Sequence, residues 1–343
     1  MTIKDLAKKT GYAVGTVSRA LNNQPNVSEN AREAILRAAE ESGFELNINA
    51  KQLKQQRSTA ILVVVKGIGN ELFAEIVETL QTLLSETAYH LVVDYLDEDL
   101  NEVHRAIQLC REKKPLGVMF LGGNSPNFAA DFSKIDVPCV LVTNDASELP
   151  FENLSSVSMD DREAARSAAQ ILIRNGHRKI AMIGGSLDSS VTGRLRFEGC
   201  RQALLDHGIP FDPEKDYRGV RFSYQDGYHA TMELLDTNRD FTAIFAAADV
   251  MAIGAIRALR EKGLEVPRDV SVIGVDGLPL GDFLVPRLSS ICQPTQQFAR
   301  RSLEILRGCI EHQAPACHEI LPFEAKESES IRIFQPKDEE QGD

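Results

Sequence analysis

The sequence predicts an α/β core of two doubly wound parallel-sheet lobes behind a small all-α head of helix-turn-helix type. Three observations lead there. The first 22 residues carry helical spacing of apolar positions on both sides of a glycine turn. From Thr59 onward, short apolar runs alternate with helical stretches, the mark of βαβ units and a parallel sheet. After Met159 that alternation starts again, and 343 residues are enough to bury a large core in two lobes of one architecture.

The head comes first. Ile3, Leu6 and Ala7 sit at i, i+3 and i+4, one face of a helix over about 3–10, with Thr2 as its cap and Asp5 completing an imperfect capping box. Gly11 permits the positive φ at which a second helix, about 13–22, begins at once. That helix turns Val17, Ala20 and Leu21 inward and Gly15, Thr16, Ser18, Arg19 and Asn22 outward. Paired helices of this kind place the second in the major groove of DNA, where the fork of Arg19 matches two acceptors on one guanine. Ser28 caps a third helix, about 29–42, with Ala31, Ile35, Leu36 and Ala38 facing the first two; Gly43 stops it and Phe44 plugs the small core. Residues 47–57 are polar, and a helix of about ten residues is marginal alone in water.

Charge supports this division. The chain carries −12 overall, yet residues 1–57 hold nine Lys/Arg against six Asp/Glu, and the remainder 29 against 44. A basic head on an acidic body suits a DNA reader whose body is repelled by phosphate. The six cysteines are scattered without a C-x-x-C pair, as expected of reduced thiols in a cytoplasmic protein. No secretory leader is expected, because Lys4, Asp5, Lys8 and Lys9 interrupt any apolar run at the start, and the run Ala60–Val65 is too short to span a membrane.

In the body, candidate strands are 60–65, 91–95, 116–121 and 138–143, then 179–184, 217–221, 242–247 and 270–275, with helices such as Phe73–Ser85, Asp161–Asn175 and Val250–Lys262 between them. Gly67-Ile68-Gly69 with Asp94 is a partial dinucleotide fingerprint that lacks its third glycine, since Leu72 occupies that place. The seven histidines show no metal-ligand spacing, and no nucleophile–base arrangement stands out. The chain therefore reads as no enzyme, with no catalytic residues, cofactor or metal.

Thr16-Val17-Ser18-Arg19-Ala20-Leu21-Asn22, with Val27-Ser28 and the helix after them, resembles the N-terminal signature of the lactose/galactose repressor (LacI/GalR) family of bacterial transcription regulators, and the resemblance runs to about residue 335. It implies a helix-turn-helix domain over 1–46, a hinge over 47–57, and a periplasmic-binding-protein-like body over 58–335, followed by an acidic tail at 336–343. The first lobe would be about 58–159 plus 294–320 and the second about 160–293 plus 321–335, the last strand lying near 330–334. By the same resemblance Val14 and Gly15 hold the positions that choose base pairs, and neither side chain donates a hydrogen bond. Readout then leans on Arg19, apolar contact and shape. Ala13 replaces the usual serine cap, a loss of roughly 1 kcal/mol, and Gly15 inside the helix costs about as much.

The hinge of the family folds on operator DNA beside its twin, and Leu53 matches the leucine wedged between base pairs; a plain linker is the other reading. Asn47, Ala50, Lys51, Lys54 and Arg57 belong to that contact segment. Leu46 stands where proline is usual. In the body, the resemblance assigns effector contacts to Arg196 of Arg196-Phe197-Glu198-Gly199, to Asp276 after its strand, to Ser190 in the loop from Gly184, and to Phe73, which equally suits a core residue. Cap and salt-bridge roles remain open for Asp276 and Arg196. An Arg fork beside a carboxylate suits a polyhydroxylated ligand. Thr143, Ala248 and Ser190 depart from known members and argue against a purine. The stripe Phe73, Ile76, Val77, Leu80 and Leu84 reads as a core face whose helix joins a homodimer contact.

The expected function is a DNA-binding transcription regulator, a repressor that binds a near-palindromic operator as a dimer under control of a sugar-like effector, without a membrane partner. A transport-type binding protein and a dinucleotide-dependent oxidoreductase are the alternatives.

Overall fold

The computed structural model describes residues 3–21, 27–42, 59–68, 71–237 and 240–334. The chain divides into two compact units, Met1–Arg57 and Ser58–Asp343.

The head consists of α1 (Ile3–Thr10), α2 (Val14–Leu21) and α3 (Glu29–Glu41). Gly11 takes φ +72°, and its N–H donates to Ala7 O at 3.0 Å, so α1 ends and α2 starts within a few residues. Leu6, Ala7, Val17, Ala20, Ile35 and Ala39 close the core. Two details differ from expectation. Ser28 stands in extended backbone before α3, but its hydroxyl makes no capping bond. Leu36 is 46% exposed and Ala39 is buried in its stead. Positions 31, 35 and 39 keep to one stripe of a 3.6-residue helix, and position 36 turns off it. Thr2, Gly43 and Phe44 lie outside the described residues, as does the whole 47–57 segment.

The body holds two sheets of like order. The first contains β1 (Ala60–Lys66), β2 (His90–Leu96), β3 (Gly117–Leu121), β4 (Cys139–Val142) and β5 (Leu154–Ser158). They are crossed by α4 (Leu72–Leu84), α5 (Glu102–Lys113) and α6 (Ser125–Asp131). The second contains β6 (Ile180–Gly184), β7 (Tyr217–Gly219), β8 (Ala243–Ala246), β9 (Ser271–Asp276) and β10 (Ser289–Cys292). Its helices are α7 (Asp161–Arg174), α8 (Val191–Asp206), the single turn α9 (Pro213–Asp216), α10 (Tyr224–Thr237) and α11 (Asp249–Glu261). After β10, α12 (Thr295–His312) packs on α4 and on β3, β4 and β5. β11 (His318–Ile320) then joins the first sheet beside β5, and β12 (Glu324–Lys326) joins the second, antiparallel to β10.

The orders β11-β5-β4-β3-β1-β2 and β12-β10-β9-β8-β6-β7 are both doubly wound, and every pairing except β10/β12 is parallel. The chain thus passes between the sheets after β5, after β10 and after β11. The expected strand at 330–334 is absent; the second-sheet edge forms earlier, at 324–326, and Ser330 meets Val272 through its carbonyl, which accepts from Val272 N, and its hydroxyl, which donates to Val272 O.

β5 and β10 are not among the strands expected from the apolar runs. They read Leu-Ser-Ser-Val-Ser and Ser-Ser-Ile-Cys, yet they are almost wholly buried. Most of their hydroxyls are satisfied by distant chain: Ser155 Oγ accepts from Cys317 N, Ser156 Oγ meets His318 Nδ1 at 2.8 Å, and Ser289 Oγ accepts from Ser328 N at 2.9 Å, while Ser158 Oγ is buried without a partner. Partnered hydroxyls are tolerated in a core that would reject bare ones.

α7 and α8 lie backbone to backbone. A Cβ placed on Gly199 would stand 2.0 Å from Arg162 O, so this glycine permits the contact. Gly199→Ala is expected to destabilise the body by about 2–3 kcal/mol through enforced overpacking, read as a lowered denaturant midpoint with the head unaffected.

Candidate functional site

In open α/β sheets the carboxyl ends of the strands, at the point where strand order reverses, face the ligand crevice. Here the segments after β1, β3, β4, β6 and β7, and the end of β9, converge on one cleft of about 430 Å³ lined by both lobes. Small-molecule sites span roughly 300–1,000 Å³.

Its floor is an ion network. Arg196, in the second turn of α8, is 4% exposed. Its Nε donates to Asp161 Oδ1 at 2.8 Å, one Nη donates to Ala247 O, and the same Nη stands 3.7 Å from Asp276 Oδ1. Asp276 Oδ1 also accepts from Gln293 Nε2 at 2.7 Å, while Oδ2 is buried with no hydrogen-bond partner. Asp276 takes φ +123°, a conformation that costs of order 1–3 kcal/mol outside glycine and persists where its surroundings over-determine it. Behind it Asp249 accepts from Ser290 Oγ and from Leu278 N, each at 2.7 Å. Burial, with Asp276 adding repulsion, raises Asp249 well above the usual carboxylate range. Burial likewise lifts Asp276 to about 6, against the pull of Arg196.

The first-lobe wall is built differently. Phe73 is buried, and its ring lies 3.0 Å from where a Cβ on Gly122 would be, so it serves both the cleft and the core behind it. Glu102, fully buried, accepts from Lys66, from Asn124 N at 2.6 Å and from Asn127 Nδ2 at 2.9 Å. At the mouth, Arg221 of the second lobe bonds Asp97 and Asp99 of the first and stands 3.4 Å from Glu98. Asn144 Nδ2 donates to Thr192 Oγ1 at 2.9 Å, a second bond between lobes.

The four sequence-predicted body residues, Phe73, Ser190, Arg196 and Asp276, all line this cleft. Ser190 also caps α8, its Oγ accepting from Gly193 N at 3.0 Å. Arg196 combines the salt bridge with a place on the cleft wall. Thr143 lines the cleft, whereas Ala248 is a buried residue ahead of α11 and Arg194 points to solvent. Lys66, Asn127, Arg221 and Gln293 were not singled out as site residues. Lys66 had a visible signal, a charge closing the apolar run of β1, and Gln293 precedes the proline at a crossing. The α4 stripe Phe73, Ile76, Val77, Leu80 and Leu84 is buried inside its own lobe. It supplies no contact surface, and the outer face of that helix shows Ala74, Glu78, Gln81 and Thr82.

On the head, α2 leaves Val14, Gly15 and Arg19 exposed and Thr16 and Ser18 half-buried. Arg19 Nε donates to Gly15 O at 3.2 Å along the helix. Asn22, Asn47, Ala50, Lys51, Leu53 and Lys54 lie outside the described residues. Asp94, the acid of the partial dinucleotide fingerprint, is held on both oxygens by Arg105, at 2.8 and 2.6 Å. Among the described residues no cluster of three His, Cys, Asp or Glu suits a metal, and no helix is long and apolar enough to cross a membrane.

Comparison with known proteins agrees with both units. Residues 2–47 match the model of bacterial regulatory proteins of the lacI family, and residues 169–331 match that of a periplasmic binding protein-like domain. The HTH-type transcriptional regulator MalR of Clostridium butyricum is 34% identical over 96% of this chain and 99% of its own length. The HTH-type transcriptional repressor CytR of Escherichia coli (strain K12) is 32% identical over 91% of this chain and 90% of its own. Among solved structures, a complex of the transcriptional regulator CelR with cellobiose aligns with TM-score 0.70 at 30% identity, over 96% of this chain and 99% of that one. A lac repressor dimer bound to operator and the anti-inducer ONPF aligns with TM-score 0.71 at 26% identity, over 97% and 99%. The chain belongs to the lacI family of bacterial regulatory proteins, and it is a DNA-binding transcriptional regulator. Neither the transport-type nor the oxidoreductase reading is favoured.

Between pH 6 and 4 the folded chain keeps a proton on Asp276 that the unfolded chain, with the ordinary value of 3.8, has largely released. The raised carboxyl therefore weakens the fold above about pH 6, and the penalty fades as pH falls through that window. Asp276→Asn is expected to stabilise the ligand-free body at pH 7.5 by up to about 3 kcal/mol, with the gain gone near pH 4, as thermal unfolding across pH will read.

Proposed function

We propose that this regulator is a repressor that holds a near-palindromic operator as a homodimer and responds to a sugar or sugar derivative bound between its lobes. In this reading residues 1–46 read the DNA, 47–57 form the connector that orders on it, and 58–335 bind effector and partner. One observation carries the effector half: the cleft floor sets a buried, unpartnered Asp276 oxygen beside the matched guanidinium of Arg196, an arrangement that asks for a ligand with hydroxyl donors. The relatives add support, since CelR is a cellobiose complex and the lac repressor a dimer on operator.

Val14, Gly15, Thr16, Ser18 and Arg19 form the base-facing side of α2 in this reading, joined by Asn22 and by Asn47, Ala50, Lys51, Leu53 and Lys54. Phe73, Ser190, Arg196 and Asp276 contact the effector. Ligand closure changes the spacing of the two connectors in the dimer, and the coupling is worth about 1–3 kcal/mol, the usual range for allosteric links. The protein works in the cytoplasm and performs no catalysis in this role.

The test is a gel-shift series on operator fragments selected from genomic DNA, with and without a panel of sugars. Arg19→Ala is expected to weaken specific binding by about 1–3 kcal/mol with little change on random DNA. Leu53→Ala is expected to reduce both specific affinity and the bend of the duplex. Equal affinity for all DNA in the native protein, or operator binding untouched by every sugar, would overturn the corresponding half of the proposal.

A further inference from the structure

We infer that the cleft selects a hydroxyl-donating effector carrying no negative charge and discriminates against phosphorylated and carboxylated forms of the same molecule. The inference rests on the sugar reading above and sharpens it.

Three basic side chains line the cleft, and each is already matched. Lys66 is paired with buried Glu102. Arg196 lies between Asp161 and Asp276, both themselves buried. Arg221, at the mouth, faces Asp97, Glu98 and Asp99. Asp249 stands behind Asp276 with no cation of its own among its bonded partners, which are Ser290 Oγ and Leu278 N. Carboxylates therefore outnumber cations around this space, and the low-dielectric walls concentrate their field. Burial raises both Glu98 and Asp276 from their ordinary values, and acidic neighbours add to the shift.

A site made for phosphate or carboxylate presents an uncommitted Arg fork or Lys to it. Here the group left over is of the opposite kind. Asp276 Oδ2 is an acceptor, in a residue 2% exposed, on the cleft wall, and without a donor. A hydroxyl placed there gains a charge-assisted hydrogen bond and relieves a buried orphan. An anionic oxygen placed there meets another. Glucose and glucuronate differ little in volume, so between those two charge, not shape, makes the distinction.

The experiment is calorimetric titration of the full-length chain at low ionic strength with matched sets: glucose, glucose 6-phosphate and glucuronate; ribose and ribose 5-phosphate; cellobiose and cellobionate. The expected result is that in any set whose neutral member binds, the anionic members bind at least about tenfold more weakly. In Glu98→Gln/Asp99→Asn, which keeps the floor and unburdens Arg221, that ratio is expected to shrink several-fold. An anionic member binding as tightly as its neutral counterpart, or a ratio unchanged in the double variant, would overturn the inference and leave the sugar reading standing. If no member of any set binds while operator binding is intact, the sugar reading falls, and this inference with it.

Discussion

The body depends on one buried cation. Arg196 joins α8 to Asp161 at the start of α7, to the carbonyl of Ala247 after β8, and to Asp276 at the end of β9. Gln293, bonded to the same Asp276, ties in the second passage of the chain between the lobes. Ions taken out of water are tolerated only with close partners, and removing Asp161, the carboxylate directly hydrogen-bonded to this cation, is expected to cost about 3–5 kcal/mol. The network therefore dictates where four elements and one crossing meet. The glycine three positions after the arginine belongs to the same design, because only a bare backbone brings α8 close enough to Arg162. In this light Arg-x-x-Gly is a packing motif in its own right.

The floor is well tied yet not at rest. Asp276 has an unbonded buried oxygen and a left-handed-region backbone, and a second acid lies beside it. Strain and unmet polarity of this kind give a ligand something to relieve, which is how occupancy acquires a preference for one arrangement of the lobes. The bonds that span the mouth are of a weaker sort. Arg221 and its acidic partners are substantially exposed, and exposed pairs contribute roughly 0–1 kcal/mol each. A firm floor beneath a lightly held mouth suits a cleft whose closure is decided by what enters it.

Much of this was legible in the residues. The alternation of apolar runs and helical stretches located eight strands, and the helices that start at Leu72, Asp161 and Asp249 do so within one residue of where the pattern put them. Four strands carry no apolar run to announce them: β11 and β12 are three-residue edge strands, and β5 and β10 are serine-rich, with most of their hydroxyls held by partners that no local pattern reveals. The same holds for the cleft. Arg196 and Asp276 could be found from local motifs, but the roles of Lys66 and Arg221 rest on Glu102 and on the acids at 97–99, which only the folded chain brings to them. Leu36 was misjudged because two neighbouring positions of α3 compete for one face, and packing alone decides between them.

The edge strands have a consequence for biosynthesis. β11 begins at residue 318 and β12 at 324, and the buried hydroxyls of Ser155 and Ser156 in β5 wait for Cys317 and His318. On the ribosome, then, neither lobe completes its hydrogen bonding until residues 318–326 have emerged, whereas α1, α2 and α3 draw their described core from Leu6 to Ala39. A nascent polypeptide of this kind folds its reader well before its sensor, and a chain stopped ahead of Cys317 would carry the one without the other.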